Sequence, residues 1–177
     1  MFNGIIYKTG KIKEIKKNTK NMLISIESNF KFLQKELGSS VSCNGVCLTI
    51  TKIIGKRIYF FISNETLKKT NFIYIKKNQA INLEKSLKYG EAISGNYTQG
   101  HVDSIAKVKK IFFIGKSWII RFEIKNKNLN NFLVEKASIS INGVSLTISK
   151  VHKNCFEVTV IPHTLKLTNL KNLSDND

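Results

Sequence analysis

Short segments rich in branched and aromatic residues run along this chain, separated by turn-forming residues. Segments of this length and composition are typical of β-strands. In the first half they predict strands over residues 11–16, 22–27, 46–54, 57–63 and 81–84. Many short strands at close spacing, with helices confined to the connections, predict an all-β fold based on a small antiparallel Greek-key barrel.

Helical patterns occur only in the connections between the predicted strands. Apolar residues at positions 30, 33 and 37 predict a helix over residues 30–37, with a counterpart over residues 130–134. Residues 65–67 and 163–165 are predicted to open one-turn helices that each follow a strand.

The chain repeats itself at a spacing of 98 residues. Asn44-Gly45-Val46-Cys47-Leu48-Thr49-Ile50 returns as Asn142-Gly143-Val144-Ser145-Leu146-Thr147-Ile148, and twelve of the twenty-eight positions from 44 to 71 recur in 142–169. A weaker similarity pairs residues 4–15 with residues 100–111 at an offset of 96. Each Asn-Gly dipeptide predicts a tight turn, because both residue types accept a positive φ. We therefore expect two tandem, similar barrels, with domains over residues 1–90 and 91–177.

Composition agrees with two compact domains of about 90 residues, each large enough for its own core. Hydrophobic residues make up 42% of the chain and there is one proline, which is typical of a globular protein. No apolar run reaches the roughly eighteen residues of a membrane span. The three cysteines, Cys43, Cys47 and Cys155, form no CxxC pair, which predicts free thiols rather than a disulfide scaffold or a zinc site. A soluble, cytoplasmic protein without a metal is expected.

The formal net charge of +17 raises the question of an anionic partner such as nucleic acid. However, the lysines are scattered along the whole chain, and Arg57 and Arg121 are the only arginines. Recognition of bases and phosphates favours arginine and a clustered basic surface. The aromatic runs at residues 59–61 and 112–113 are typical of core positions. The sequence therefore argues against a nucleic-acid partner, and no membrane partner is expected.

Six motifs occur in a fixed order from residue 1 to about residue 170. They are Met1-Phe2-Asn3-Gly4-Ile5-Ile6, the segment 44–49, Glu65-Thr66-Leu67, Gly100-His101-Val102-Asp103, the segment 143–147 and Ile161-Pro162. Together they resemble the riboflavin synthase family of two-barrel lumazine-binding proteins. Within this resemblance, Asn96 and Asn142 stand where the family usually carries a histidine and an aspartate.

The resemblance implies a transferase that needs no cofactor and disproportionates two molecules of 6,7-dimethyl-8-ribityllumazine. The products would be riboflavin and 5-amino-6-(ribitylamino)uracil. Two identical substrates suit a duplicated chain, because each copy can supply one of two similar pockets. A non-catalytic lumazine- or flavin-binding protein of the same fold remains the alternative.

The resemblance also implies the residues of each pocket. The first would contain Ser40, Cys47, Leu48, Thr49 and His101, lined by Gly4, Ile5, Ile6, Phe61, Ile62, Ser63, Asn64, Glu65 and Thr66. The second would contain Ser145, Leu146 and Thr147, lined by Gly100, His101, Val102, Val160, Ile161, Pro162, His163, Thr164 and Leu165, with Lys136 reaching in from a partner subunit. Catalytic roles are implied for His101, Ser40, Cys47 and Ser145, because an imidazole, hydroxyls and a thiol can move a proton and add to a ring without a metal.

Some of these residues also have a purely structural interpretation. Cys47 could fill a core, the usual place of a buried free cysteine, and Thr49 and Thr147 could be ordinary strand formers. Ser145 stands at the position of Cys47 in the second copy. That exchange favours a pocket position, because a buried hydroxyl without a partner is costly.

The repeat predicts that the second barrel lacks one strand. At the 98-residue offset the strand near residues 79–84 would recur at 177–182, whereas the sequence ends at Asp177. The C-terminal helix through which this family assembles its trimer is not found either. We expect an open strand edge and, from the resemblance, a homo-oligomer, in the family a homotrimer.

Overall fold

The computed structural model describes the whole chain, from Met1 to Asp177. Its first half contains six strands: β1 (Lys8–Lys17), β2 (Asn21–Ser28), β3 (Ser40–Cys43), β4 (Val46–Ile54), β5 (Arg57–Ser63) and β6 (Ala80–Lys85). They close into an antiparallel barrel in the order β1-β2-β5-β4-β3-β6, a Greek-key arrangement. We call these six strands the first repeat. Each of the five predicted strands coincides with, or lies within, an observed one.

The second repeat contains five strands: β7 (Ala106–Ile114), β8 (Ser117–Ile124), β9 (Ser138–Ile141), β10 (Val144–His152) and β11 (Cys155–Val160). Their order, β7-β8-β11-β10-β9, reproduces that of the first five strands of the first repeat. The sheet is open, because no sixth strand joins β9 to β7. The predictions of an all-β fold and of two similar Greek-key units are thus confirmed.

Both repeats share their local irregularities. The pairing shifts by one residue between Ile50 and Lys52 in β4, and between Ile148 and Lys150 in β10. The Asn-Gly dipeptides form the predicted tight turns, with φ of 49° at Asn44 and 48° at Asn142, followed by glycines that also have positive φ. Positive φ at both central residues gives the turn a twist that matches the flanking strands.

Each repeat encloses its own apolar core. In the first repeat, alternate residues of β2 and β5 point inward, and Ile24, Ile26, Phe60 and Ile62 are among the fully buried side chains. The second core is built in the same way, but more of its apolar residues are only partly buried, including Ile139 and Ile141 on the open-edge strand β9. The open edge of this sheet therefore leaves one side of the second core less covered.

Helices are short and lie in the connections. The one-turn helices predicted near residues 65–67 and 163–165 are α1 (Asn64–Lys69) and α2 (Pro162–Leu167). Residues 127–132 form a 3₁₀ helix that overlaps the helix predicted over 130–134. None of the helices has the length and apolar character that crossing a membrane would require.

The helix predicted over residues 30–37 is wrong, because only residues 34–36 form a single 3₁₀ turn. The apolar residues do not share a buried face: Leu33 and Leu37 are 41% and 47% exposed. Phe30 instead packs on Phe32, with ring centroids 5.4 Å apart, and the ammonium group of Lys85 lies over both rings. Local aromatic packing and this cation thus accompany an irregular segment rather than a helix.

The two repeats meet through equivalent residues, as expected for an approximate two-fold relation. Phe2 and Thr98, which match at the 96-residue offset, exchange two backbone hydrogen bonds of 2.8 and 3.0 Å. The turn glycines Gly45 and Gly143, which match at the 98-residue offset, lie back to back. After Phe2, residues 3–6 lie against the second repeat. After Thr98, residues 99–102 lie against the first repeat.

Candidate functional site

In each repeat, the two strands that carry most of the predicted site residues separate at one end. The ladder between β4 and β5 starts at Ile50 and Phe60, so residues 46–49 and 61–63 extend beyond it. The ladder between β10 and β11 likewise starts at Ile148 and Val158. Each separation leaves these residues without a partner across the ladder, and we call each of these gaps a cleft.

The backbone of the cleft strand presents hydrogen-bonding groups to this opening. Cys43 and Val46 flank the two-residue turn of the β3-β4 hairpin and form a paired position of the ladder, followed by Val41 and Leu48. In such a hairpin the hydrogen-bonded positions alternate, so the N–H and C=O groups of the intervening residues point away from β3. Residues 47 and 49 thus direct their peptide groups into the cleft.

The first site, which we define by Ser40, Cys47, Thr49 and the incoming residue Gly100, lies at the β4 cleft. Ser40 lies opposite Thr49 across the β3-β4 ladder, so both side chains are on the outer face of the barrel. The Cys47 N–H donates to the Gly100 carbonyl over 2.8 Å. The approach is close, because a Cβ added to Gly100 would be 2.7 Å from the Cys47 Cβ.

The second site has the same construction, from Ser138, Ser145, Thr147 and the incoming residue Gly4. Ser138 lies opposite Thr147 across the ladder between β9 and β10. The Ser145 N–H donates to the Gly4 carbonyl over 2.8 Å, and a Cβ on Gly4 would be 2.6 Å from the Ser145 Cβ.

The incoming segments therefore cross between the repeats, which corrects the predicted division of lining residues. Gly4, Ile5 and Ile6 were expected beside Cys47, but Gly4 contacts Ser145 and Ile6 is buried in the second core. Gly100 and Val102 were expected beside Ser145, but Gly100 contacts Cys47 and Val102 packs against the first core. The crossing follows from the antiparallel pairing of the two segments at Phe2 and Thr98.

The predicted cleft walls divide into inward and outward side chains. Leu48, Ile62, Val160 and Leu165 are buried in the two cores, so only their backbone groups can face a cleft. The exposed residues are Phe61, Ser63, Asn64, Glu65, Ile161, Pro162 and His163, while Ile5, Thr66, Leu146 and Thr164 are half-buried. The Ser63 hydroxyl caps α1 by accepting the Thr66 N–H at 3.2 Å, and Pro162 occupies the first turn of α2, where a missing N–H costs nothing.

His101 and Lys136 are both exposed. The His101 side chain makes no hydrogen bond within the chain, and it follows directly on Gly100, whose carbonyl is fixed to Cys47. Lys136 has a φ of 72° and occupies the position equivalent to Gly38, whose φ is 79°. A non-glycine residue in this left-handed region is uncommon, so a lysine side chain here comes at a cost to the backbone.

A cluster of three polar side chains distinguishes the second site. The Asn96 Nδ2 donates to the Ser145 Oγ over 2.5 Å, and the Ser138 Oγ donates to the Asn96 Oδ1 over 2.9 Å. Because the amide group already donates to Ser145, the Ser145 hydroxyl proton is available to a ligand. Sequence reasoning did not include Ser138, although the 98-residue offset from Ser40 points to it.

Glu84 is a second residue that the sequence reasoning missed. Its buried carboxylate accepts the backbone N–H groups of Asn3 at 2.6 Å and Gly4 at 3.0 Å. Burial raises the pKa of Glu84 above its ordinary value, although these two backbone hydrogen bonds act in the opposite direction.

Asn82 lies two residues before Glu84 on the same strand, β6, and also reaches the second repeat. Its Nδ2 donates to the Asn142 carbonyl at 2.9 Å, and its Oδ1 accepts the Asn169 N–H at 2.7 Å. Asn169 in turn donates to the Asn44 Oδ1 at 3.0 Å. This buried amide network ties together the turns that precede both Cys47 and Ser145.

The three cysteines are free, as predicted. Burial raises the pKa of the Cys43 thiol well above its ordinary value, so this thiol stays protonated, whereas Cys47 is partly exposed at the first site. No group of three or more His, Cys, Asp and Glu side chains is arranged to hold a metal ion. The functional groups at the two sites are hydroxyls, a thiol, an imidazole, amides and backbone groups.

Comparison with known proteins agrees with this duplicated architecture. The family model described as the lumazine binding domain matches twice, over residues 3–86 and 99–177. The riboflavin synthases of Actinobacillus pleuropneumoniae and Escherichia coli strain K12 are each 34% identical to the chain over 96% of its length. The chain spans about four fifths of these relatives, 79% and 80% of their lengths.

Similar solved structures carry ligands. LumP complexed with riboflavin matches the whole chain with a TM-score of 0.87 and 27% identity, over 96% of that protein. LumP complexed with flavin mononucleotide matches with a TM-score of 0.86 and 26% identity over the same share. With two matching repeats, full-length structural similarity and riboflavin synthases among its relatives, the chain belongs to the lumazine-binding domain family and carries two copies of the domain.

Proposed function

We propose that this protein is a riboflavin synthase, which converts two molecules of 6,7-dimethyl-8-ribityllumazine into riboflavin and 5-amino-6-(ribitylamino)uracil. The observation that carries the proposal is the pair of equivalent sites, with Cys47 and Ser145 at the same position of two similar clefts. A reaction between two identical molecules needs two sites that bind the same compound, and a pair of equivalent sites can supply them. The similarity to riboflavin synthases supports the same conclusion.

The reaction transfers a four-carbon unit from one lumazine to the other. Two C–N bonds of the donor break and two C–C bonds form on the acceptor, so atoms and electrons balance without an oxidant or a cofactor. Holding the two ring systems in a fixed orientation can supply up to about 7 to 11 kcal/mol of the barrier. We assign this orienting role to the cleft backbone at residues 47–49 and 145–147.

The chemical steps need a proton acceptor and a nucleophile. We assign to His101 the removal of the acidic proton from the C7 methyl group of one lumazine, because its imidazole is exposed next to the fixed Gly100. Ser40, Cys47 and Ser145 supply hydroxyl and thiol groups that add to the other ring or polarise it. The remaining predicted lining residues of the two clefts are proposed to bind the rings and the ribityl chains.

We propose further that the protein is a cytoplasmic homo-oligomer, with Lys136 of one copy reaching a site of another. The exposed lysine in a left-handed conformation supports this role, because the equivalent position of the first repeat is a glycine, which adopts that φ without strain. Light scattering on the purified chain would test the assembly: a mass of one chain contradicts it, and a mass of three chains fits the trimer.

A non-catalytic lumazine- or flavin-binding protein is the second candidate. One observation favours it: Ser145 is hydrogen-bonded to the amide of Asn96, which cannot take up a proton as an imidazole does. The similarity of the whole chain to LumP structures with bound riboflavin and flavin mononucleotide points in the same direction.

Incubation of the purified chain with 6,7-dimethyl-8-ribityllumazine distinguishes the two candidates. Riboflavin formation, followed by absorbance and fluorescence, should account for one molecule per two lumazines consumed. Cys47→Ser is an informative companion variant, because it gives the first site the side chain that the second site already has. Tight lumazine binding with no riboflavin formed would instead assign the protein to the binding class.

A further inference from the structure

Glu84 lies at the contact between the repeats, where the N-terminal ammonium group acts to lower its pKa without forming a salt bridge with it. The carboxylate is 8% exposed and forms no salt bridge with Lys, Arg or His. Its two oxygens are occupied by the backbone N–H groups of Asn3 and Gly4, at 2.6 and 3.0 Å. Burying a carboxylate costs free energy unless it is well hydrogen-bonded. The N–H groups of Asn3 and Gly4 therefore stabilise the Glu84 carboxylate in its buried position.

Two chains of hydrogen bonds connect Glu84 to Ser145 through the N-terminal residues Asn3 and Gly4. In the first, Glu84 holds the Gly4 N–H, and the Gly4 carbonyl accepts the Ser145 N–H at 2.8 Å. In the second, Glu84 holds the Asn3 N–H, and the Asn3 carbonyl accepts the Asn96 N–H at 3.0 Å. The Asn96 amide then donates to the Ser145 Oγ. Both the backbone and the hydroxyl of Ser145 thus depend on where this carboxylate places the N-terminal segment.

Within residues 1–177 no such support is seen at the first site, since the position equivalent to Glu84 at the 98-residue offset would be 182. Gly100 contacts Cys47 in the same way that Gly4 contacts Ser145, but no carboxylate accepts the N–H groups of Gln99 and Gly100. Besides the Asn96 cluster and the exchange of Cys47 for Ser145, the two sites thus differ in the carboxylate behind the incoming segment. This difference supplies an internal comparison within one molecule.

We propose that Glu84 is a positioning residue of the second site: its carboxylate, provided by the first repeat, fixes the N-terminal segment and through it the Gly4 carbonyl and the Ser145 hydroxyl that face a ligand. Glu84 does not touch the ligand itself. The consequence for ligand affinity rests on the proposed lumazine binding, whereas the consequence for Ser145 does not.

Hydrogen exchange at individual amides tests the positioning role without any ligand. In Glu84→Gln, one acceptor oxygen becomes an NH₂ group that cannot accept a backbone N–H. We expect the Ser145 amide to exchange at least about tenfold faster, as for the loss of a charge-assisted hydrogen bond, while the Cys47 amide keeps its rate. Glu84→Asp keeps the charge and should restore part of the protection. Equal acceleration at both amides, or no change at Ser145, would overturn the proposal.

Lumazine titration of the same variants tests the effect on the site. We expect Glu84→Gln to weaken binding at the second site about tenfold and to leave the first site unchanged, with Glu91→Gln, an exposed carboxylate in the connection between the repeats, as the control for loss of one charge. A lumazine affinity that falls equally at both sites contradicts the proposal. If the unaltered protein binds no lumazine at all, the proposed function fails, and the exchange rates alone decide the role of Glu84.

Discussion

Gly45 and Gly143, equivalent turn residues of the two repeats, approach each other so closely that a Cβ on Gly45 would lie 2.7 Å from the Gly143 backbone nitrogen. Both residues also have positive φ, 82° and 77°. The contact joins the turns that lead into Cys47 and Ser145, so the same backbone contact supports both sites.

Gly45→Ala is expected to destabilise the protein more than a strained φ alone would. The φ penalty for a non-glycine residue is about 1 kcal/mol or more, and the methyl group would in addition push the two repeats apart. Gly55→Ala provides the matched control, since Gly55 also has a positive φ, 56°, but nothing lies within 4 Å of its added Cβ. Urea unfolding of both variants should show the larger loss for Gly45→Ala, and equal losses would mean that the close contact contributes nothing.

His101→Ala is expected to slow riboflavin formation by about 100-fold or more, the usual range for the loss of a general base. Lumazine affinity should change much less, and the unfolding midpoint should stay the same, because the imidazole is exposed and makes no hydrogen bond within the chain. Gln99→Ala, an exposed neighbour in the same segment, is the control. If activity and affinity fall together, His101 serves binding rather than proton transfer.

Asn96→Ala is expected to weaken lumazine binding at the second site by about fivefold, corresponding to roughly 1 kcal/mol for one hydrogen bond. The variant leaves the Ser145 hydroxyl without its amide donor at 2.5 Å, so the hydroxyl can turn away from the ligand. Fluorescence titration that resolves both sites checks the effect, with the first site as the internal reference. A change confined to the first site would show that the crossing of the segments has been misassigned.

Glu157→Gln is expected to lower the free energy of unfolding near neutral pH. It should also make this free energy fall less as the pH is lowered. Burial alone would raise the pKa of Glu157, but the hydrogen bonds from Arg121 and His152 outweigh it and hold the pKa below its ordinary value. The Arg121 Nη2 lies 2.6 Å from the Glu157 Oε1. A lowered carboxyl pKa stabilises the folded state above the unfolded pKa and loses that contribution as the pH falls through the folded pKa.

Urea unfolding at about pH 7 and about pH 3 measures this dependence. The unaltered protein should lose more stability between these two conditions than Glu157→Gln does. At the higher pH the variant should be less stable by about 1 to 3 kcal/mol, as for hydrogen bonds to a charged group. Glu65→Gln removes an exposed carboxylate and should behave like the unaltered protein. Parallel pH profiles for Glu157→Gln and the unaltered protein would contradict the assignment.

Much of the fold could be predicted because its signals are local. The strands β4 and β5 have the bounds that their composition predicted, and the Asn-Gly turns have the predicted φ values. The helix expected over residues 30–37 shows the limit of such signals. An apolar spacing predicts a helix only when one face is buried, and here Leu33 and Leu37 remain exposed while two phenylalanines pack on each other.

The partners at the sites could not be predicted in the same way. The motifs around Gly4, Cys47, Gly100 and Ser145 were recognisable, but which glycine meets which strand depends on how two similar repeats are oriented. No local pattern encodes that orientation. Glu84 escaped notice for the same reason, since a carboxylate in a strand is usually solvated and only the contact with the N-terminal segment gives it a role.

The crossing of the two segments also bears on how such a chain can evolve. A Cβ at position 4 would clash with Ser145, and a Cβ at position 100 with Cys47, so selection on each glycine is exerted by the opposite repeat. After the duplication, neither copy was free to drift alone, although one of them now carries serine where the other has cysteine. The two glycines are therefore expected to persist while their neighbours diverge, and at the 96-residue offset the segments 2–6 and 98–102 share only this glycine.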